Sequence, residues 1–75
     1  MACDVIIPRL GDMEEGTLLG WLVGNGVVVV KGQTIVEIET EKANVEIEAP
    51  ASGQLTILVP AGKTVPVGTV LGTIS

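Results

Sequence analysis

Lys42 stands apart from the other cationic side chains of this 75-residue chain because of the residues around it. It lies near the centre of residues 35–49, IVEIETEKANVEIEA, where apolar and acidic residues alternate on both sides. Alternation with a period of two is typical of half-buried strands. The pattern predicts a β-hairpin with Lys42 at its tip. A solvated charge is the simplest role for such a lysine, but its central place in a symmetric hairpin favours a lysine displayed for chemistry.

The alternation also predicts how the two strands pair. Thr40 and Ala43 are expected to close a type I turn, because the Asn-Gly or Asp-Gly pair of tight primed turns is absent. The predicted cross-strand pairs are Ile38 with Val45 and Val36 with Ile47 on the inner face, and Glu37 with Glu46 on the outer face. Like charges directly opposite each other are mildly destabilising, so folding alone gives no reason for the acidic face.

The composition excludes several classes of function. A formal net charge of −5 argues against nucleic acid and against an anionic membrane surface as partners, because both require clustered Lys and Arg. With no histidine and one cysteine, Cys3, neither a metal site nor an internal disulfide framework is predicted. Cys3 is interpreted as inert rather than as a reactive thiol. Without a nucleophile paired with a base, the domain is not predicted to be an enzyme by itself.

A high apolar content with almost no aromatic rings indicates an all-β fold. Apolar residues make up 47% of the chain, but Trp21 is the only aromatic residue, so Val, Ile and Leu must form the core. Trp21 is interpreted as a packing residue rather than as a ligand platform. Besides the hairpin, strands are predicted over residues 4–8, 17–23, 27–30, 55–59 and 70–74. Residues 10–16 are predicted to form an exposed acidic loop.

The sequence contains an internal repeat, which says more about the overall architecture than any single strand does. A shift of 36 residues places Leu22 on Leu58, Val23 on Val59, Gly26 on Gly62, Val29 on Val65, Gly32 on Gly68, Ile35 on Leu71 and Ile38 on Ile74. Two such halves, each too small to bury its own apolar face, are expected to close on each other with approximate two-fold symmetry. Residues 1–75 are therefore predicted to form a single domain, a sandwich or flattened barrel.

Residues 39–43, Glu-Thr-Glu-Lys-Ala, together with residues 45–53, resemble the lipoyl-attachment motif of lipoyl domains in 2-oxo acid dehydrogenase complexes. Further similarities are spread along the chain, at Pro8-Arg9-Leu10-Gly11, Glu15-Gly16-Thr17, Trp21-Leu22-Val23, Gly26, Gly32 and Val65-Pro66-Val67-Gly68. Val27 departs from the family, which usually has an acidic residue there, and at least one of the four valines 27–30 must be exposed. The resemblance implies two small antiparallel sheets, with the lysine hairpin at one end and both termini in the sheet at the other.

The same resemblance implies a function. Lys42 would carry lipoate, attached covalently by a lipoate-protein ligase, as a swinging arm. The arm would be reductively acylated at a thiamine-diphosphate dehydrogenase, deliver the acyl group to coenzyme A at an acyltransferase core, and be reoxidised by dihydrolipoyl dehydrogenase. Residues implied in recognition are Glu39, Thr40, Glu41 and Ala43 around the lysine, and Asp12, Glu14 and Glu15 in the acidic loop.

The chain would then be part of the acyltransferase component of a 2-oxo acid or acetoin dehydrogenase complex. Its location would be the bacterial cytoplasm or, for an excised domain, the mitochondrial matrix. A biotinyl domain is one alternative, but those domains flank their lysine with methionines, whereas Glu41 and Ala43 flank Lys42. An unmodified interaction module of the same fold is another alternative, and the retained Lys42 argues against it.

Overall fold

The computed structural model describes residues 2–9 and 12–75, which form eight β-strands. The strands are β1 (Cys3–Ile6), β2 (Glu15–Trp21), β3 (Val28–Val29), β4 (Thr34–Glu39), β5 (Asn44–Glu48), β6 (Gly53–Ile57), β7 (Thr64–Pro66) and β8 (Val70–Ile74). Within the described ranges no helix is long and apolar enough to cross a membrane. Leu10 and Gly11, which belong to the predicted acidic loop and to one of the similar segments, lie outside the described residues.

The strands form two four-stranded antiparallel sheets, which confirms the predicted all-β fold. One sheet has the order β1-β8-β6-β3 and contains both terminal strands, with Cys3 opposite Ile74. The other has the order β5-β4-β2-β7 and contains the lysine hairpin. The termini and the hairpin therefore belong to different sheets, as expected.

The internal repeat corresponds to a symmetry of the fold. Strands β5, β4, β2 and β7 occupy the same places in one sheet as β1, β8, β6 and β3 in the other. The backbone hydrogen bonds repeat as well: the amide of Leu22 donates to the carbonyl of Ile35 at 2.8 Å, and Leu58 donates to Leu71 at 2.9 Å. Under this symmetry, the turn between β4 and β5 corresponds to the opening between β8 and β1. The lysine turn thus occupies the position where the other half has the chain termini.

Paired glycines explain why both halves turn in the same way. Gly26 and Gly62 have φ of 86° and 91°, and Gly32 and Gly68 have φ of 91° and 93°. Only glycine adopts this region readily, because it has no Cβ to clash with the backbone. The repeat therefore preserves the residues that reverse the chain, as well as the apolar residues that fill the core.

Several predicted strand boundaries were wrong. Strand β1 covers Cys3–Ile6 rather than residues 4–8, β2 covers Glu15–Trp21 rather than 17–23, β3 covers only Val28–Val29 of 27–30, and β6 covers Gly53–Ile57 rather than 55–59. Only the last strand, residues 70–74, matches its predicted bounds. Strand β7 was not predicted at all. The start of β2 and the whole of β7 form together, because residues 15–17 pair with residues 64–66.

The core consists of aliphatic side chains from both sheets. Its buried members are Val5, Ile7, Leu18, Val29, Ile35, Val36, Ile38, Ile47, Ala49, Leu55, Leu71 and Ile74. Trp21 packs against this core, and its indole N–H donates to the carbonyl of Val59 at 2.9 Å, which links the two halves. The predicted packing role of Trp21 is thus confirmed. Leu19 is 41% exposed, and the register of β2 shifts beside it, between Leu18 and Gly20.

The valine run divides between core and surface. Val29 is fully buried, whereas Val27, Val28 and Val30 are exposed. The prediction that at least one of the four is exposed is confirmed. Val28 and Val29 form β3 at the edge of its sheet, and the carbonyl of Val27 also accepts from the amide of Leu55 in β6 at 2.9 Å. Successive side chains of a strand point to opposite faces, so the run cannot be buried as a whole.

Candidate functional site

The lysine hairpin has the predicted register. Ile38 lies opposite Val45, Val36 opposite Ile47, and Glu37 opposite Glu46. A register shift between Thr34 and Val36 at the base of the hairpin allows both Ile35 and Val36 to be buried. The apolar residues of β4 therefore anchor the hairpin in the core, while its tip extends beyond the sheet as residues 40–43.

The turn at the tip is closed by Thr40 and Ala43. The amide of Thr40 donates to the carbonyl of Ala43 at 3.0 Å, and the Thr40 hydroxyl donates to the same carbonyl at 2.6 Å. That hydroxyl also accepts from the amide of Ala43 at 3.2 Å. Among the described residues positive φ occurs only at glycine, so Glu41 and Lys42 cannot form a primed turn. This agrees with the expected common turn.

Lys42 is exposed at this tip, together with Glu41 and Ala43. An exposed primary amine on a short turn can reach into the active site of another protein, whereas a lysine on the flat face of a sheet would be hindered by its neighbours. The chemistry available to such an amine is formation of an amide with a carboxylic acid. The site therefore fits a covalently attached cofactor that has a carboxyl group, such as lipoate or biotin.

A depression of about 590 Å³ lies beside the hairpin tip. We call it the hairpin depression and define it by its lining: Asp12, Met13, Glu14, Glu15, Gly16, Thr17, Glu39, Thr40, Glu41, Lys42, Ala43, Val45 and Thr64. All the residues predicted to act in recognition belong to this set. The structure thus brings the acidic segment before β2 next to the lysine turn, although the two are distant in sequence.

The hairpin depression is strongly acidic. Five carboxylates line it, namely those of Asp12, Glu14, Glu15, Glu39 and Glu41, and Lys42 is its one cationic residue among those described. All five carboxylate residues are exposed, so water and salt screen their mutual repulsion. Such a surface is complementary in charge to a basic surface.

Sequence reasoning missed five of the lining residues. Met13, Gly16 and Val45 form an apolar part of the lining, and Thr17 and Thr64 share a hydrogen bond of 2.7 Å between their hydroxyls. Met13 could have been found, because it is an apolar residue within an otherwise acidic segment. Thr64 could not, because it comes into place only through the unpredicted strand β7.

Gly16 lies in the floor of the hairpin depression where a side chain could not fit. A Cβ built on Gly16 would lie 2.5 Å from Cγ2 of Ile38, well inside the contact limit of two carbon atoms. Gly16 therefore allows β2 to pack tightly against the lysine hairpin.

A comparison of the sequence with protein families finds a match over residues 4–74 to the biotin/lipoyl family, which carries the description "Biotin-requiring enzyme". The match includes the lysine hairpin and both sheets. It therefore covers the fold as a whole and not the attachment motif alone.

Comparison with curated proteins finds relatives in 2-oxo acid and acetoin systems. The chain is 42% identical over 74 residues, 96% of its length, to the dihydrolipoyllysine-residue succinyltransferase component of the 2-oxoglutarate dehydrogenase complex of Bacillus subtilis. It is 42% identical over 73 residues, 95% of its length, to the dihydrolipoyllysine-residue acetyltransferase component of the acetoin cleaving system of the same organism.

A third relative is named as a dehydrogenase subunit rather than as an acyltransferase. Over 64 residues, 83% of the chain, 44% are identical to the beta subunit of the pyruvate dehydrogenase component of Rhizobium meliloti. The chain spans only 18%, 18% and 14% of the lengths of these three proteins, respectively. The similarity therefore concerns one domain of much longer proteins.

Proposed function

We propose that this chain, which belongs to the biotin/lipoyl attachment family, is a carrier domain with a lipoyl group bound covalently to Lys42. The observation that carries the proposal is the exposed position of Lys42, in a hairpin turn whose strands are anchored in the core. A carrier needs a reactive end that moves freely and a base that does not move. The hairpin provides the fixed base, and the long side chain of the exposed Lys42 would provide the moving end.

Lipoate is proposed as the cofactor because of the residues beside the lysine. Glu41 and Ala43 flank Lys42, as in lipoyl domains, whereas biotinyl domains normally place methionines there. The names of the relatives, which include dihydrolipoyllysine residues, support this choice. Biotin stays the second candidate, because the description of the matching family refers to biotin.

The protein's own part in the chemistry is attachment and presentation. A lipoyl group on Lys42 would supply a dithiolane that accepts acyl groups and electrons and passes them on. The turn residues Thr40–Ala43 hold the lysine away from the sheets, so that a partner can enclose the arm without contacting the core. The carboxylates of the hairpin depression would steer the domain toward basic entrances on those partners.

The proposed partners are the enzymes that such an arm must visit in turn. They are a lipoate-protein ligase, a thiamine-diphosphate dehydrogenase component, an acyltransferase core and a dihydrolipoyl dehydrogenase. Within a complex, tethering would give the domain a high effective concentration at each active site, so weak docking is sufficient. Recognition is proposed to involve Glu39, Thr40, Glu41, Ala43, Asp12, Glu14 and Glu15, all of which line the hairpin depression.

The parent protein is proposed to be the acyltransferase component of a 2-oxo acid or acetoin dehydrogenase complex, in the bacterial cytoplasm. Two of the three relatives described above have acyltransferase names, and the third is a dehydrogenase subunit. The domain is proposed to be non-catalytic by itself, since its function requires only attachment and delivery.

The test is the intact mass of the domain after coexpression with a lipoate-protein ligase and lipoate. We expect one lipoyl increment in the wild type and none in Lys42→Arg. Lys63→Arg is the matched control, because Lys63 is also an exposed lysine, directly follows a turn and lies outside the hairpin. Lys63→Arg should be modified like the wild type.

A parallel coexpression with a biotin-protein ligase separates the two cofactors. A biotin increment on Lys42 without a lipoyl increment would move the domain to the biotin carriers. No increment with either ligase, on a sample shown to be folded by circular dichroism, would favour an unmodified interaction module.

A further inference from the structure

The hydroxyl of Thr40 makes two hydrogen bonds within the lysine turn. It donates to the carbonyl of Ala43 at 2.6 Å and accepts from the amide of Ala43 at 3.2 Å. A hydroxyl can donate one hydrogen bond and accept two, so this group is largely occupied inside the turn. It has little capacity left to bind a partner.

Packing contributes little to the shape of the same turn. Glu41, Lys42 and Ala43 are all exposed, and Thr40 is half-buried. One backbone hydrogen bond, from the amide of Thr40 to the carbonyl of Ala43, spans the turn at 3.0 Å. The two bonds of the hydroxyl therefore form a large part of what keeps the tip in one conformation.

We infer that the Thr40 hydroxyl is a positioning group that holds the turn so that the amine of Lys42 is presented to the lipoate-protein ligase. This inference rests on the proposed function. It assigns Thr40 a role different from those of Glu39, Glu41 and Ala43, because Thr40 acts through the turn and not through contact with the enzyme. Thr40 is thus a positioning residue of the attachment site.

The physical effect of losing the hydroxyl is a larger population of other turn conformations. When only a fraction of molecules has the binding-competent conformation, the apparent affinity for a partner falls by that fraction. Once the complex has formed, the lysine is in place and the chemical step is unchanged. Loss of the hydroxyl should therefore raise KM for the unmodified domain and leave kcat unchanged.

The experiment compares lipoylation kinetics of the wild type, Thr40→Val and Thr40→Ser with a purified lipoate-protein ligase. Valine has the shape of threonine without the hydroxyl. Each of the two lost hydrogen bonds is typically worth about fivefold, so together they disfavour the wild-type turn by up to about 25-fold. Because KM rises only as the binding-competent fraction falls, Thr40→Val should raise KM about fivefold. Thr40→Ser keeps the hydroxyl and should stay within about twofold of the wild type.

Thr69→Val is the matched control. The Thr69 hydroxyl donates to the carbonyl of Pro66 at 2.7 Å, also three residues away in a turn, but that turn does not line the hairpin depression. This variant should keep the wild-type KM, although it loses a hydrogen bond of the same kind. A raised KM in Thr69→Val would mean that the ligase responds to general destabilisation, and it would overturn the inference.

A second measurement separates positioning from direct contact. Backbone ¹⁵N order parameters and relaxation dispersion of residues 41–43 together should show more motion in Thr40→Val and stay at wild-type values in Thr40→Ser and Thr69→Val. A raised KM with both measurements unchanged would show that the hydroxyl contacts the ligase, which contradicts the inference. An unchanged KM in Thr40→Val, with the wild type modified normally, would overturn this inference alone. Failure of the wild type to be lipoylated would overturn the proposed function as well.

Discussion

The opposed carboxylates of Glu37 and Glu46 provide a quantitative test of the hairpin register. These residues lie directly opposite each other on neighbouring strands, with Glu37 half-buried and Glu46 exposed. Opposite residues of an antiparallel pair have Cβ atoms about 5 Å apart, so their carboxylates cannot avoid each other completely. Glu46→Gln removes one charge with almost no change in shape. It should raise the free energy of unfolding.

The magnitude follows from Coulomb's law with salt screening. Two unit charges about 6 Å apart in water repel by roughly 0.7 kcal/mol. Screening leaves about 0.6 kcal/mol at 0.01 M salt, about 0.3 kcal/mol at 0.15 M and about 0.1 kcal/mol at 1 M. For a domain of this size each kcal/mol moves Tm by about 4–8 °C. The expected gain in Tm is therefore about 2–5 °C at low salt and under about 1 °C at 1 M.

The assay is thermal unfolding followed by far-ultraviolet circular dichroism at the three salt concentrations. A double-mutant cycle with Glu37→Gln isolates the pair, because Glu46→Gln should gain little once the opposite charge is absent. An equal gain in both backgrounds, or a gain that persists at 1 M salt, would refute the assignment to cross-strand repulsion. The expected result would show that the acidic face of the hairpin lowers the stability of the fold. That cost would be consistent with a role of these carboxylates in binding.

Three further predictions concern the stability of the fold. Trp21→Phe removes the donor to the carbonyl of Val59 and should lower the free energy of unfolding by about 1–2 kcal/mol. The measurement is urea denaturation followed by circular dichroism. An unchanged free energy of unfolding would mean that water replaces the indole N–H. Gly72→Ala places a Cβ 2.6 Å from the carbonyl oxygen of Thr56 and should cost about 1–3 kcal/mol in the same assay, and wild-type stability would contradict the tight approach of β8 to β6. Lys42→Arg should change the free energy of unfolding by less than about 0.5 kcal/mol in the same assay, because the turn is exposed. A larger loss of that free energy would contradict the exposed position.

The lysine hairpin could be predicted well because its information is local. A one-residue slip of register would move every apolar side chain of the pair to the wrong face, and the turn closed by Thr40 and Ala43 selects one register among those that the alternation in residues 35–49 allows. The structure has that pairing at Ile38, Val36 and Glu37. The two-fold repeat was predictable for a similar reason, since it rests on glycine and aliphatic residues recurring at a fixed spacing.

The errors lie where strands form through pairing between distant segments. Glu15 and Gly16 belong to the predicted loop because a charged residue and a glycine are typical of loops. In the structure they belong to β2, because they pair with Pro66 and Val65. Strand β7 has only three residues, ends in a proline and has no periodic pattern to reveal it. Proline is tolerated there because β7 lies at the edge of its sheet.

The sequence by itself determined the all-β class, the hairpin with its register, and the lysine at the tip, because hydrophobic alternation and turn residues act between near neighbours. Only the tertiary structure decided what surrounds that lysine. The acidic segment before β2 and Thr64 of β7 meet the hairpin because three chain segments pair in one sheet, and such contacts depend on the closure of the whole fold. The two hydrogen bonds between the Thr40 hydroxyl and Ala43 likewise depend on atomic distances, which cannot be read from a pattern of residue types.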